Sequence, residues 1–251
     1  MTRTTQKLEE ELGVTLFDRK RNKILLNETG KIAVKEAQKV LKQLNMMEEN
    51  IHSYDRSHRM ISIGSCTPAP IWNVLPFLNY ADPCMATFSE LNTSEKLLKG
   101  LSNGKYQLVI AEEKPEDPIF HCEKYGEEQL FFLLPKEHPL AGRKNLHFHD
   151  FDGDTMLVYA EIGLWEQVYR YTLPSTHFIV EKDWSSFQKL IDTSALPVFI
   201  TDLALKHFRF PPGKIPVTIS DKDAKKSYYC ICLKSQKRKW MPFFDRIRAL
   251  K

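Results

Sequence analysis

Residues 31–53 contain neither glycine nor proline, and their apolar residues recur at alternating intervals of four and three. The apolar residues that follow this spacing are Ala33, Ala37, Val40, Leu44, Met47 and Ile51. The spacing is that of an a/d heptad seam, which predicts one long helix with a narrow apolar stripe. No other long helical pattern adjoins it, so we expect the stripe to pack against a second copy of the chain. Packing against its own domain is the alternative.

From residue 59 onward, short strand patterns alternate with short helical patterns. Strands are predicted at 60–65, 85–91, 107–111, 130–134, 156–159, 177–180, 197–200, 217–220 and 228–233. Helices are predicted at 71–80, 94–101, 164–171, 184–191 and 202–207, with a basic helix from 238. This alternation favours parallel-rich α/β sheets, and the region is long enough for two small lobes.

The segment before the heptad region has the pattern of a helix followed by a hairpin. Residues 4–12 are predicted to form the helix, which ends at Gly13 because glycine readily adopts the left-handed conformation needed there. The apolar runs 14–17 and 24–26 then flank the charged turn 18–23. A hairpin of this shape is typical of the wing of a winged helix-turn-helix.

The net charge of +4 is distributed unevenly along the chain. Residues 17–42 and 234–251 are strongly basic. Basic charge concentrated in such patches indicates a polyanionic partner more strongly than the same charge spread over the whole surface would. For 234–251, simple solvation of a terminal helix is an equal alternative.

The five cysteines are scattered without a C-x-x-C pair, so we expect reduced structural thiols.

The apolar runs of this sequence have the length of strands. None approaches the roughly 20 residues that a membrane span needs, so no membrane partner is expected. The first seven residues are not followed by an apolar stretch of the kind found in secretory signals. Both observations predict a cytoplasmic location.

Residues 2–30 resemble the signature region of the LysR-type transcriptional regulators. In that family, a recognition helix with Ser-Arg and Leu-Glu precedes Leu-Gly, Leu-Phe-x-Arg and a wing that ends in Leu-Thr-x-Ala-Gly. The matching residues are Thr2-Arg3, Leu8-Glu9, Leu12-Gly13, Leu16-Phe17-x-Arg19 and the run from Ile24 to Gly30. Departures occur at Thr5, which stands at a usually apolar position, and at Asn27 and Thr29 in the wing. Beyond the heptad helix, the resemblance rests on the order of elements.

The resemblance implies a fold of the α/β class in three parts. These are a partial winged helix-turn-helix DNA-binding domain at 1–30, a linker and dimerisation helix at 31–57, and an effector-binding domain at 58–251. The last would be a two-lobed, periplasmic-binding-protein-like (type 2) domain. Two helices precede the recognition helix in the family, whereas Met1 falls inside it here. We therefore expect an N-terminal truncation within the recognition helix, which leaves Met1–Leu12 poorly held.

By the same resemblance, the recognition helix and the wing would contact DNA. Arginine is well shaped to read guanine and glutamine can read adenine, whereas basic wing residues contact phosphates. The expected DNA-binding residues are Thr2, Arg3, Thr4, Gln6 and Lys7 on the helix, and Arg19, Lys20, Arg21 and Lys23 on the wing. A solvated turn is the alternative for the wing charges.

A small-molecule effector is expected between the lobes, because ligands of open α/β sheets bind at the carboxyl ends of strands, near helix N-termini. The predicted effector-binding residues are Ser65, Cys66, Thr67, Asn92, Thr93 and Thr201, with Glu161 and Trp165 on the opposite wall. Ordinary helix capping uses the same residue types and is the alternative. Glu112 and Glu113 follow a predicted strand and would bias the cleft toward cationic or amine ligands.

No catalytic residue, metal site or cofactor is predicted. His147, His149 and Asp154 have a spacing that arises easily by chance. Asp150, Asp152 and Asp154 resemble a calcium loop, but Thr155 stands where that loop requires glycine. Nucleophile-elbow, phosphate-loop and dinucleotide motifs do not occur in the sequence.

Three hypotheses for function follow. The first is a DNA-binding transcription regulator that responds to a small-molecule effector and forms a homodimer or homotetramer through the linker helix. The second is a DNA-incompetent, truncated effector-binding sensor module. The third is a solute-binding protein on the same fold, which the heptad helix and the absence of a signal pattern disfavour.

Overall fold

A computed structural model of the chain describes residues 3–20, 23–57, 60–81 and 86–249. The chain divides into two units, Met1–Tyr54 and Asp55–Lys251. Among the described helices, none combines the length and apolar character needed to cross a membrane.

The first unit contains a helix, a hairpin and the beginning of a long helix. These elements are α1 (Arg3–Leu12), β1 (Phe17–Lys20), β2 (Lys23–Leu26) and α2 (Glu28–Ser57). Gly13 has φ +68°, which confirms the left-handed residue predicted at the end of α1. The Asn27 side chain caps α2, because the Gly30 N–H donates to Asn27 Oδ1 at 2.8 Å.

The hairpin is antiparallel but includes more of the charged segment than predicted. Phe17 pairs with Leu26 and Lys20 with Lys23, so residues 18–20 lie in a strand rather than in a turn. This register puts residues 14–16 ahead of the strand. The alternation of apolar and polar residues is too short in this segment to indicate where pairing begins.

The long helix predicted from the heptad spacing is confirmed, since α2 spans 30 residues and includes 31–53. Its apolar residues are exposed: Val40 is 68 % and Leu44 is 44 % solvent-accessible. The apolar stripe of α2 therefore lacks a covering surface among the described residues.

The second unit contains two sheets that share one strand, β6 (Phe120–Pro135). In the first lobe, the sheet order is β4 (Ala86–Leu91), β3 (Met60–Ser65), β5 (Leu108–Ala111), β12 (Lys225–Leu233) and β6. β3 runs parallel to β4 and β5, whereas β12 is antiparallel to β5 and β6. The helices of this lobe are α3 (Ala69–Ala81), α4 (Ser94–Ser102) and α8 (Lys237–Ala249).

The second lobe is built on the other half of β6. Its sheet order is β9 (His177–Glu181), β8 (Thr155–Tyr159), β10 (Val198–Thr201), β6, β11 (Lys214–Ile219) and β7 (Asn145–Leu146). Its helices are α5 (Trp165–Thr172), α6 (Trp184–Thr193) and α7 (Asp202–His207). The predicted α/β class with two lobes is thus confirmed.

β6 is much longer than the 130–134 strand predicted from sequence. Residues 120–129 pair with β12 in the first lobe, and residues 130–135 pair with β10 and β11 in the second. The first half is rich in polar and charged residues and lies at the edge of its sheet, so it has no continuous apolar run. Only the second half, with buried Leu130, Phe132 and Leu134, has the apolar signal of a core strand.

Candidate functional site

Two adjoining pockets lie between the lobes of the second unit. The larger pocket, about 840 Å³, is here called the acidic pocket and includes Asn92, Thr93, Glu90, Glu112, Glu161 and Glu166. The smaller pocket, about 290 Å³, is called the aromatic pocket and includes Trp72, Tyr159, Trp165, Trp184, Phe208 and Glu128. The pockets share Pro68, Trp72, Leu91 and Glu161, so they form one cleft.

The positions of the strand ends explain where the cleft lies. β3, β4 and β5 are parallel neighbours, and Cys66, Asn92 and Glu112 follow their carboxyl ends. On the second lobe, Ala160 follows β8 and Thr201 ends β10. Open α/β sheets bind ligands at such ends, because the loops there leave a crevice beside helix N-termini.

Six of the eight predicted effector residues line the cleft. Cys66, Asn92, Thr93 and Glu161 line the acidic pocket, and Glu161, Trp165 and Thr201 line the aromatic pocket. Thr201 also caps α7, since the Ala204 N–H donates to Thr201 Oγ1 at 3.2 Å. Thr201 therefore has both roles that were considered for these residues: it caps a helix and it lines the pocket.

The structure places Ser65 and Thr67 behind the cleft wall. Both are fully buried and line neither described pocket. Ser65 Oγ donates to the Thr67 carbonyl at 2.6 Å, and Thr67 Oγ1 donates to Glu128 Oε2 at 3.3 Å. Their hydroxyl protons are thus used inside the protein, because a buried hydroxyl must find a partner.

Glu128 is a buried carboxyl that our sequence analysis missed. It is 1 % exposed, and its Oε2 accepts hydrogen bonds from Thr67 Oγ1, from Trp165 Nε1 at 3.1 Å and from Tyr228 OH at 2.7 Å. Burial raises the pKa of Glu128, and the hydrogen bonds from Thr201, Tyr228 and Trp165 oppose that rise. The sequence does contain a signal for this burial. Side chains two residues apart in a strand lie on the same face, so Glu128 shares a face with buried Leu130.

Glu128 lies where β6 passes from one sheet to the other. Its donors come from the loop after β3 and from β12 in the first lobe, and from α5 in the second. A second contact joins the lobes nearby, where the Leu164 N–H donates to the Cys66 carbonyl at 2.8 Å. This contact requires Gly163, because a Cβ there would lie 2.1 Å from that carbonyl oxygen.

Most carboxylates of the acidic pocket have a cationic partner outside the lining. Glu90 lies 2.7 Å from Lys105, Glu166 lies 2.9 Å from Arg170, and Glu112 lies 3.7 Å from Lys226. The hydrogen bond from Lys105 lowers the pKa of Glu90. Glu90 is therefore ionised at neutral pH, and each of the three acids has a basic side chain close enough to balance part of its charge.

The described cysteines are free thiols of low reactivity. They are Cys66, Cys122, Cys230 and Cys232, whereas Cys84 lies outside the described residues. Burial raises the pKa of every one of them, to about 11 for Cys122 and to about 12 for Cys232. They are thus protonated at neutral pH, and a protonated thiol is a poor nucleophile.

The residues predicted to contact DNA lie on α1 and the hairpin. Arg3, Thr4, Gln6 and Lys7 are exposed on α1, and α1 buries no residue. Arg19 and Lys20 lie in β1 and Lys23 in β2, whereas Thr2 and Arg21 lie outside the described residues.

Glu9 links α1 to the hairpin. Its Oε1 accepts hydrogen bonds from the backbone N–H groups of Leu16 at 2.6 Å and Phe17 at 3.1 Å. The resemblance to the LysR motif included Glu9 but did not reveal this role, because the contact depends on how the chain turns at Gly13.

In the described ranges, no group of three or more His, Cys, Asp or Glu side chains is arranged to hold a metal ion. His147 and His149 stack on each other instead, with ring centroids 5.3 Å apart. His147 Nδ1 also lies 3.3 Å from Asp221 Oδ2.

Residues 87–176 match the family model of the LysR substrate binding domain. The uncharacterised HTH-type transcriptional regulator YybE of Bacillus subtilis is 29 % identical over 165 residues, which are 63 % of this chain and 56 % of that protein. The hydrogen peroxide-inducible genes activator of Haemophilus influenzae is 26 % identical over 157 residues, 61 % of this chain and 52 % of that protein. The chain thus matches about half the length of these curated relatives.

Solved structures share the fold at low sequence identity. Full-length OxyR from Pseudomonas aeruginosa aligns with a TM-score of 0.60 and 19 % identity over 97 % of this chain and 83 % of that one. The BenM effector binding domain with its effector benzoate aligns with a TM-score of 0.57 and 14 % identity over 76 % of this chain and 91 % of that one. CbnR in complex with its target DNA aligns with a TM-score of 0.53 and 17 % identity over 98 % of this chain and 88 % of that one. The second unit therefore has the two-lobed, type 2 periplasmic-binding-protein-like fold, and the family match with the relatives supports a LysR-type regulator.

Proposed function

We propose that this chain is a LysR-type transcription regulator that binds double-stranded DNA and responds to a small-molecule effector bound between its lobes. The observation that carries the proposal is the cleft at the strand ends of the second unit. Its lining residues Asn92, Glu112 and Trp165 fall inside the segment that matches the LysR substrate binding domain. BenM binds benzoate in a domain of this fold, and CbnR binds DNA.

An effector in this cleft would act by changing the relation between the lobes. The cleft has walls from both lobes, with Trp72 on one side and Glu161 on the other. A ligand that contacts both walls binds best to one arrangement of the lobes and so shifts the population toward it. The proposed response is transmitted through β6, which belongs to both sheets.

The proposed DNA contacts are those of α1 and the hairpin. The exposed side chains of Arg3 and Gln6 would read bases, and the basic hairpin residues would contact phosphates.

Three further properties of the chain belong to the proposal. A DNA-bound regulator acts in the cytoplasm, and we propose the same location for this chain. Its described cysteines do not support a thiol sensor, since their pKa values are raised. The relatives are regulators, and we propose that this chain also has no catalytic activity.

We further propose that the 251-residue chain alone binds DNA weakly. α1 has ten residues and buries none, while Leu8 and Leu12 on it are exposed. A helix of that length needs packing partners to keep one orientation across the major groove. This observation favours the DNA-incompetent sensor as the second candidate function.

The proposal also divides the chain into a DNA-binding part at 1–30, a linker at 31–57 and an effector domain at 58–251.

Fluorescence anisotropy with a labelled duplex from the region upstream of the gene tests both candidates. The regulator hypothesis expects binding that weakens steeply with salt, since phosphate contacts release counterions. It also expects Arg3→Ala to weaken binding, whereas Lys99→Ala in the second unit serves as a charge-matched control. If the chain does not bind the duplex at low salt, the regulator hypothesis fails and the sensor remains.

We also propose that α2 forms the seam of a homodimer, which can assemble further into a homotetramer. The exposed apolar residues Val40, Leu44, Met47 and Ile51 follow the heptad spacing. Sedimentation velocity at high protein concentration measures this directly. A strictly monomeric protein would refute the seam.

A further inference from the structure

The cleft is lined by carboxyl side chains without a basic one. The lining carboxyls are Glu90, Glu112, Glu128, Glu161 and Glu166. No lysine, arginine or histidine is among the described residues that line either pocket. An anionic ligand would therefore be repelled by several carboxylates, whereas a cation would be attracted.

Two hydroxyl groups and two helix N-termini beside the cleft are poorly available to an anion. The hydroxyls of Ser65 and Thr67 are buried and donate inside the protein. The N-termini of α4 and α5 face the acidic pocket, but Glu95 and Glu166 occupy their first turns. An acidic residue in the first turn offsets the positive end of the helix dipole.

Glu161 is the carboxylate of the cleft best placed to meet a cation. It lines both pockets, and it is exposed at their common boundary. Glu90, Glu112 and Glu166 each have a Lys or Arg partner, whereas Glu161 has none among the described residues. Its charge also contributes, after burial, to the raised pKa of Tyr159.

The aromatic pocket has walls that suit an apolar body and a cationic group. Its rings form a continuous series, in which Trp184 lies 4.4 Å from Phe208 and 5.1 Å from Tyr159, and Trp72 lies 4.9 Å from Phe208. Indole and phenol faces attract ammonium groups through their quadrupoles. The volume of about 290 Å³ is that of a site for a small organic molecule.

We propose that this cleft binds a small organic cation, namely an amine with an aromatic or apolar body. The body occupies the aromatic pocket, and the ammonium lies at the shared boundary between Trp72 and Glu161. The inference rests on the proposed function only in taking this cleft as the effector site.

Isothermal titration calorimetry of the full chain with matched ligand series tests the charge preference. One series is benzylamine, benzyl alcohol and benzoate, and the other is tryptamine, tryptophol and indoleacetate. At least one amine is expected to bind at least about fivefold more tightly than its alcohol, and more tightly still than its carboxylate. Equal binding of amine and alcohol, tighter binding of the carboxylate, or no amine binding at millimolar concentration overturns the proposal.

Variants of the cleft residues test which side chains cause the preference for amines. Glu161→Gln is expected to reduce amine affinity at least about fivefold while leaving the alcohol unchanged. Trp184→Leu is expected to weaken both ligands, and Glu137→Gln, an exposed acid away from the pockets, is expected to change neither. An unchanged ratio of amine to alcohol affinity in Glu161→Gln contradicts the proposal.

The failure of this inference is distinguishable from the failure of the proposed function. Carboxylates that bind tightly and lose affinity in Trp184→Leu would overturn the cation preference and leave the effector cleft intact. The duplex-binding measurement on the same protein tests the regulator function independently of ligand charge.

Discussion

Glu128 is a buried residue that joins side chains of both lobes. Its Oε2 accepts hydrogen bonds from Thr67, Trp165 and Tyr228, which belong to three separate segments of the chain. Replacing it by an apolar residue leaves these three donors buried without an acceptor. A buried polar group without its partner costs more than the hydrogen bond itself contributed.

We therefore expect Glu128→Leu to lower the free energy of unfolding by about 3 kcal/mol. Urea denaturation followed by far-ultraviolet circular dichroism measures it. Glu127→Gln is the matched control, because Glu127 is the neighbouring carboxyl but is exposed and pairs with Lys124 and Lys225 at the surface. Equal stability of the two variants would show that the buried network contributes little.

The pH dependence of stability depends on the raised pKa of Glu128. In the folded protein this pKa lies above the ordinary value of 4.5, so the native state binds the proton more tightly than the unfolded state. The resulting stability is fully present below the unfolded pKa and is lost as the pH rises through the folded pKa. Glu128→Gln cannot ionise. The stability of the natural protein relative to Glu128→Gln should therefore fall as the pH is raised from 4.5. A relative stability that rises over this interval would instead show that the hydrogen bonds favour the ionised form.

At the scale of the elements, the loop between β8 and α5 is sensitive to the addition of a single methyl group. Gly163 has φ +63°, and a Cβ there would meet the Cys66 carbonyl. Gly163→Ala is thus expected to lower the free energy of unfolding by about 2 kcal/mol or more. Gly142→Ala is the control, because a Cβ at Gly142 would have no heavy atom within 4 Å. If the two substitutions have the same effect in urea denaturation, the contact between the lobes does not constrain this loop.

The second element whose role can be tested is α2. A lysine at Leu44 would put a charge in the middle of the proposed apolar seam. We expect Leu44→Lys to weaken dimerisation at least about tenfold in sedimentation velocity. Lys42→Gln changes a charge on the same helix outside the seam and should leave the association unchanged. A dimer that survives Leu44→Lys but dissociates in Lys42→Gln would place the interface on another face.

On the scale of the whole second unit, the two lobes are expected to unfold together. β6 contributes hydrogen bonds to both sheets, and the core of each lobe includes residues from it or from its partner β12. A variant that retains only Trp240 reports on the first core, and one that retains only Trp165 reports on the second. The two fluorescence transitions should have the same urea midpoint. Separate midpoints would show that the lobes are independent domains.

Many elements of this molecule could be predicted from local patterns. The heptad spacing predicted α2, Gly13 predicted the end of α1, and the alternation of short apolar segments predicted the α/β class. These signals are local, because helix and strand periods and the conformational freedom of glycine act over a few residues. Local patterns did not predict the first half of β6, where polar residues pair along a partly exposed strand.

The amino-acid sequence by itself determined most of the helices and strands of the second unit and which residues stand near the strand ends. Only the tertiary structure decided which of those polar residues line the cleft. Ser65 and Thr67 lie at the predicted strand end yet donate inward, while Glu161 stands free at the boundary of both pockets. The physical reason is that the buried Thr67 hydroxyl has its partner in a distant segment of the chain. The partner here is Glu128, which β6 brings to the junction of the two sheets.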